Sequence, residues 1–305
     1  MPRSNADAIL IELGHTCMNH FVLLDLRRRT ALPWADLVDL ARTLCDTPMA
    51  DDLLVLSDAT DADARLRVVG RDGREADFCG NGMLYVAAKL GAELGRDDIS
   101  IASQGGVRRA RRAAEQWTVE VGDVQDLSEH LTDAARAALR GCPVIGLVRA
   151  GEPHLVLGPP AALGGFHVTR QEFEEFCRPL RDLTGLPGGV NVTVVFARDE
   201  HTLLIRSYER GVERHTFSCG TGAVAAVAAS GGCPLGTVFR VCAPGGAHHV
   251  RCHDGRWWLT AMPQPVASGQ LRDGALHLPL ARLAAYRPWS PEAIRQFAEL
   301  SGPCR

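Results

Sequence analysis

Two short stretches, Phe78-Cys79-Gly80-Asn81-Gly82 and Ser218-Cys219-Gly220-Thr221-Gly222, repeat one Cys-Gly-polar-Gly pattern 140 positions apart, and each runs into an apolar, alanine-rich segment. A pattern that recurs in this way predicts a duplicated architecture of two related halves. It also suggests what the repeated element is for. Removing a proton from one face of a carbon and returning one to the other face needs two acid/base groups opposite each other, and two matched cysteines suit that task.

The length fits the duplication: 305 residues are long for one core and comfortable for two domains of about 150 residues each. Apolar residues make up 46% of the chain and charged residues 23%, so a sizeable core is available. Net charge is −3, and no stretch interleaves clustered basic residues with aromatics, which argues against a nucleic-acid partner. Arg27-Arg28-Arg29 and the cluster Arg108, Arg109, Arg111 and Arg112 read as solvated strand ends or turns. The first twenty residues lack a basic start followed by an apolar run, and no apolar run approaches the roughly 20 residues of a membrane helix. No membrane partner and a cytoplasmic location are therefore expected. Ten cysteines without regular spacing then read as free thiols in a reducing compartment. Lys89 is the sole lysine. It falls in the helix after the first motif without a phosphate cradle, which disfavours a pyridoxal-phosphate Schiff base.

Short apolar runs bounded by turn residues predict strands over 9–13 and 21–26, forming a hairpin, and then over 53–56, 64–69, 99–102 and 117–121. Helical spacing predicts helices over 36–44 and 83–90. Residues 127–141, with a short helix near 132–139, mark the boundary region. Beyond it, strands are expected over 144–148, 154–157, 190–197 and 202–209, with helices over 169–183 and 223–229. The second half thus repeats the order of the first. The expected fold is α+β: two pseudo-symmetric domains, each a curved, mostly antiparallel sheet around a central helix, with the motifs facing across a cleft. The halves are assigned to residues 1–135 and 136–274. Residues 275–305 form a C-terminal extension, in which Ser290-Pro291 predicts the start of a helix over 292–300.

A cysteine at a helix start lies beside unsatisfied N–H groups and the positive end of the helix dipole, which favour the thiolate. The flanking glycines allow several N–H groups to point at one carboxylate. Two such nests in one cleft would grip an α-carboxylate while the sulfurs flank the α-carbon, and their titration would belong to the pair.

Further along, Gly189-Val190-Asn191-Val192 and Tyr208-Glu209-Arg210-Gly211, together with the two cysteine motifs, resemble the signature segments of diaminopimelate epimerase, a cofactor-independent two-cysteine amino-acid racemase family. The loop ending Asn19-His20-Phe21 and the segment Gly151-Glu152-Pro153-His154 resemble two further family segments, so the likeness runs in order over most of residues 9–270. It implies stereoinversion at an α-carbon without metal or cofactor. It also implies Cys79 and Cys219 as the acid/base pair, with Gly80, Asn81, Gly220 and Thr221 at the substrate's α-carboxylate and amine. Asn19, Asp52, His154, Asn191, Glu209 and Arg210 would line the substrate pocket. The partners expected are a small amino-acid substrate and a second copy of the chain in a homodimer.

Departures from the family pattern bear on the substrate. Glu152 replaces an asparagine, Gly70 replaces another, and Asp52 stands where the family has glutamine. A site that loses hydrogen-bond partners for a polar group rejects that group, so diaminopimelate is not expected to be the substrate. The spacing and the retained His154 bring the chain closer to a divergent branch that includes histidine racemases, which makes histidine the leading substrate. Glu152, Asp52 or Glu213 would meet its side chain. The alternatives are diaminopimelate epimerase itself, a proline-racemase-like or phenazine-pathway-like isomerase, and an amino-acid-binding or thiol redox protein without turnover. Cys242, His248, His249, Cys252 and His253 are close in sequence, but their spacing matches no standard zinc pattern.

Overall fold

The expected hairpin is present: β1 (Ile9–Thr16) and β2 (Asn19–Asp25) pair antiparallel around the two-residue turn Cys17-Met18. Both turn residues have positive φ, 49° and 62°, the backbone that a type I′ hairpin requires. The structure, a computed structural model, describes residues 9–45, 50–139, 141–272 and 275–277.

After the hairpin come α1 (Trp34–Cys45), β3 (Asp52–Ser57), β4 (Ala64–Val69) and α2 (Gly80–Leu94). The first half continues with β5 (Asp98–Ser103), β6 (Gly106–Ala113), β7 (Gln116–Gly122) and the short β8 (Gln125–Asp126). A small helix, α3 (Asp133–Ala138), leads to β9 (Val144–Ala150), β10 (Glu152–Leu157) and α4 (Arg170–Cys177). The second half then adds β11 (Asn191–Arg198), β12 (Thr202–Glu209), β13 (Arg214–Thr216) and α5 (Gly220–Ala229). It closes with β14 (Phe239–Ala243), β15 (Gly246–His253), β16 (Arg256–Ala261), β17 (Pro263–Arg272) and β18 (Ala275–His277).

The repeat extends to strand pairing. In the first half β1–β2 is antiparallel, β2–β3 parallel, β3–β4 antiparallel, β4–β5 parallel, and β5–β6–β7 antiparallel. In the second half β9–β10, β10–β11, β11–β12, β12–β14 and β14–β15–β16 follow the same sequence of directions. The halves also exchange edges. β7 pairs with its counterpart β16, β8 pairs with β9, and β17 pairs with β1.

Each half wraps around one helix. α2 packs against β1, β4–β7, β16 and β17, and α5 against β9–β12, β15 and β16. Residues Gly80–Ala87 and Gly220–Val227 are buried on all sides, as an alanine-rich helix without a polar face must be. A Cβ at Gly14 would come within 2.1 Å of the Tyr85 ring on α2, and opposite Gly14 the partner strand β17 bulges, with Val266 left unpaired between Pro265 and Ala267. Among the described residues no helix is long and apolar enough to cross a membrane.

Several elements differ from the sequence reading. α2 begins directly after Cys79 and runs to Leu94, where Gly95 closes it in the left-handed conformation. α4 stops at Cys177 because Pro179 restricts the chain to a 3₁₀ turn. The cluster around Arg108–Arg112 forms the body of an exposed strand, not its end. The strands from Phe239 to His277 were not anticipated. Of the C-terminal extension, residues 275–277 are the strand β18, and the helix expected over 292–300 lies outside the described residues.

Candidate active site

α2 and α5 converge at their N-termini. A Cβ on Gly80 would come within 3.7 Å of Gly220 Cα, and one on either glycine would press to 2.7 Å from Leu259 Cδ2. A methyl on either glycine would therefore force the end of the Leu259 side chain to shift. Cys79 and Cys219 are the N-caps, with nearly identical backbones (φ −125°, ψ 103° and φ −124°, ψ 114°). Each sulfur accepts a hydrogen bond from the N–H three residues on, Gly82 at 3.4 Å and Gly222 at 3.3 Å. Both cysteines line one cavity of about 240 Å³, together with Asn19, Asp52, Gly80, Asn81, Asn191, Glu209, Arg210, Gly220 and Thr221.

The polar residues are fixed by a buried network. Arg214 donates to Asp51 Oδ1 at 2.9 Å, and Asp51 Oδ2 accepts from Asn19 Nδ2 at 2.9 Å. Asn19 Oδ1 in turn accepts from Asn81 Nδ2 at 3.1 Å. Asn81 Nδ2 also reaches Ser218, the residue before Cys219, and its Oδ1 meets His248. On the other side Asn191 accepts from the Arg210 N–H at 3.0 Å and donates to Pro153 O at 3.1 Å. Glu209 accepts from the Thr216 hydroxyl.

His154 is placed behind the cavity instead of in its wall. It is fully buried and bonded through Nε2 to Thr221 Oγ1 at 2.9 Å and through Nδ1 to Thr193 Oγ1 at 3.1 Å. Burial lowers its pKa to about 3, so it is a neutral support for Thr221. Glu213 bonds Arg181 at 2.7 Å and does not line the cavity. Glu152 lines it but is occupied, accepting from the Asp77 and Phe78 N–H groups at 2.8 and 3.2 Å and pairing with Arg210 Nη2.

The electrostatics correct one expectation. Helix N-termini were expected to favour the thiolates, yet burial, reinforced by Asp52 at Cys79 and by Glu209 at Cys219, pushes both thiols well up. The carboxylates are displaced too. Asp52 is raised by burial and by Glu209, while burial lifts Glu209 to about 7 against the pull of the Thr216 hydroxyl.

The sequence reading missed Asp51, Arg214, Thr216, Ser218 and His248. The Asp51-Asp52 doublet and the position of Ser218 inside the second motif were available signals. His248 belonged to the group considered for metal, which strand alternation takes apart: His248 is fully buried, and His249 points to the opposite face. Among the described residues no group of three or more His, Cys, Asp or Glu is placed to hold a metal.

No family model matches the chain. A diaminopimelate epimerase of Corynebacterium glutamicum (strain ATCC 13032) is 30% identical over 282 residues, which cover 85% of this chain and 96% of that protein. One of Chlamydia muridarum is 36% identical over 186 residues, 60% of this chain. This match spans 66% of the chlamydial protein, a little under two thirds. Among solved structures, a hydroxyproline epimerase from Agrobacterium vitis with bound trans-4-hydroxy-L-proline has a TM-score of 0.60 at 13% identity, covering 87% of this chain and 91% of that one. A phenazine biosynthesis protein of the PhzF family from Enterococcus faecalis has a TM-score of 0.59 at 14% identity, covering 87% and 99%. These two establish the fold alone. With the ordered motifs, the duplicated strand pairing and a corynebacterial relative aligned over nearly its whole length, the chain belongs to the diaminopimelate epimerase family.

Proposed function

We propose that this protein is a cofactor-independent amino-acid racemase or epimerase that inverts an α-carbon between the sulfurs of Cys79 and Cys219. The observation that carries the reading is that both cysteines cap helices whose N-termini converge on one cavity. Backbone N–H groups of Gly80, Asn81, Gly220 and Thr221 would hold the α-carboxylate. Burial holds both thiols well up, with Asp52 adding to it at Cys79 and Glu209 at Cys219, and the α-ammonium of a bound substrate would offset the carboxylate part. With one sulfur having lost its proton to solvent, that thiolate takes the α-proton as the opposite thiol delivers another, which leaves the charge on the second sulfur, and the roles exchange in reverse. Lys89 is held by Glu12 and Glu93 at 2.6 and 2.7 Å and does not line the cavity, which supports chemistry without a Schiff base.

The substrate side chain is read as basic. Five carboxylates (Asp52, Asp72, Glu75, Glu152 and Glu209) and two guanidiniums (Arg74 and Arg210) line the cavity. Arg210 is taken by Glu152, Glu75 by Arg67 at 2.7 Å, and Asp72 by the Arg74 N–H at 3.0 Å. Asp52 has no hydrogen-bond partner among the described residues, so it is the group available to a cationic or imidazole side chain. Histidine fits, as do lysine and arginine. A cytoplasmic homodimer belongs to the same reading.

The test is incubation with single amino acids in heavy water. Deuterium is expected at the α-position of a basic amino acid, and absence of exchange from every amino acid would overturn the racemase reading. A second reading, diaminopimelate epimerase itself, is favoured by the names of the relatives. Interconversion of LL- and meso-diaminopimelate by the wild-type protein would decide for it.

A further inference from the structure

His248 lies on β15 in the second half, yet its partner is in the first. Fully buried, it meets Asn81 Oδ1 through Nε2 at 2.7 Å. The orientation of every group in this chain of contacts follows from its ends. Asp51, held by Arg214, can only accept, so Asn19 turns Nδ2 toward it and presents Oδ1. That oxygen needs a donor, so Asn81 turns Nδ2 toward Asn19 and Ser218 and leaves Oδ1 facing His248. Nε2 of His248 must then carry the ring proton. Nδ1, buried and without a hydrogen-bond partner among the described residues, is the bare nitrogen.

We propose that His248 is a positioning residue of the two-thiol site: by fixing the Asn81 amide it clamps the Ser218-Cys219 loop onto the first turn of α2 and sets the separation of the two sulfurs. Asn81 follows Cys79 by two residues, and Ser218 precedes Cys219 by one. The amide therefore spans the two motifs, beside the place where a Cβ on Gly220 would come within 3.3 Å of the Asn81 N atom. Burial lowers the pKa of His248 to about 4, so the imidazole serves as a neutral donor throughout the neutral range. The second motif has its own imidazole, since His154 holds Thr221. Of these two imidazole contacts, that of His248 crosses between the halves and that of His154 does not.

The inference rests on the racemase reading, and its test separates the two. The glutamine introduced by His248→Gln offers an amide donor near the former Nε2, whereas the leucine of His248→Leu offers none. In wild-type protein that exchanges an α-proton, His248→Leu is expected to lower kcat by about tenfold or more, as losing a buried donor implies, with KM changed by less than about threefold. His248→Gln should recover most of the loss. Asn81→Ala/His248→Leu should be no slower than Asn81→Ala alone, because the histidine acts through that amide. Independently of turnover, diamide oxidation should close the Cys79–Cys219 disulfide several-fold more slowly in His248→Leu. Wild-type kcat in His248→Leu, or a glutamine variant as impaired as the leucine one, would overturn the positioning role. If the wild type exchanges no proton, the racemase reading fails, and the disulfide rate alone decides whether His248 sets the sulfur separation. If the leucine variant does not fold, the glutamine variant and its disulfide rate decide.

Discussion

Asn81 and Ser218 belong to different halves of the chain and are joined by two hydrogen bonds, from Asn81 Nδ2 to the Ser218 hydroxyl at 3.2 Å and to its carbonyl at 3.4 Å. The bonds tie together the two residues that flank the cysteine pair. The geometry of the proposed site is therefore a property of the contact between halves, not of either half alone.

Replacing either sulfur tests the two-base reading directly. Cys79→Ser and Cys219→Ser are each expected to lower racemisation by about 10²–10⁴-fold, the usual worth of a positioned acid or base. Chiral chromatography of the product reads it, and full activity in either variant would exclude the mechanism.

The close approach of the helices makes the motif glycines structural. A Cβ on Gly220 would press to 2.7 Å from Leu259 Cδ2 and to 3.3 Å from the Asn81 N atom. Gly220→Ala is expected to destabilise the protein by about 1–3 kcal/mol through overpacking. Leu259→Ala should relieve part of the strain around the new methyl, so that Gly220→Ala lowers Tm by less in that background than in the wild type.

Glu209 gives a pH signature. Its carboxyl is raised from an ordinary value of 4.5 to about 7, so between these values the folded state holds a proton that the unfolded state has lost. Stability from this group is full below about 4.5 and is lost as pH rises through about 7. Thermal unfolding from pH 4 to 8 should show that decline, and Glu209→Gln should make it shallower, the raised carboxyls of Asp52 and Glu152 keeping the remainder. A cationic substrate needs the ionised form, so its KM should fall as pH rises through about 7.

Glu152 is expected to act as a specificity filter. Glu152→Gln frees Arg210 but leaves a half-buried guanidinium without its counter-charge, at a cost of about 3 kcal/mol. The variant should melt lower and admit acidic amino acids, measured as α-proton exchange of glutamate or aspartate relative to the basic substrate. Unchanged discrimination would show that the Glu152–Arg210 pair does not set it.

The cysteine motifs were legible because helix starts are local: an N-cap, two glycines and an alanine run fall within one stretch of chain. The repeat was legible because element order is one-dimensional. His248 was not, because a lone histidine on an alternating strand carries no sign of what it will face, and its partner is 167 residues away. Asp52 was legible from its place in the family pattern, whereas Asp51 was not, because its partners Asn19 and Arg214 lie 32 and 163 residues away. β17 was hidden for another reason. Pro263 and Pro265 break the expected strand pattern, and they are tolerated where the ladder with β1 begins and bulges.

The exchanged edges have an ancestral implication. Since β17 completes the sheet of the first half and β8 lies beside β9 in the second, neither half has all of its strands in its own stretch of chain. Fragments 1–135 and 136–305 should be insoluble when made singly and should reconstitute a fold when made together. Such an arrangement resembles a strand-swapped pair of identical chains fused end to end. Fusion would have released the two copies from sequence identity, letting one motif keep an amide and the other a hydroxyl at the same place.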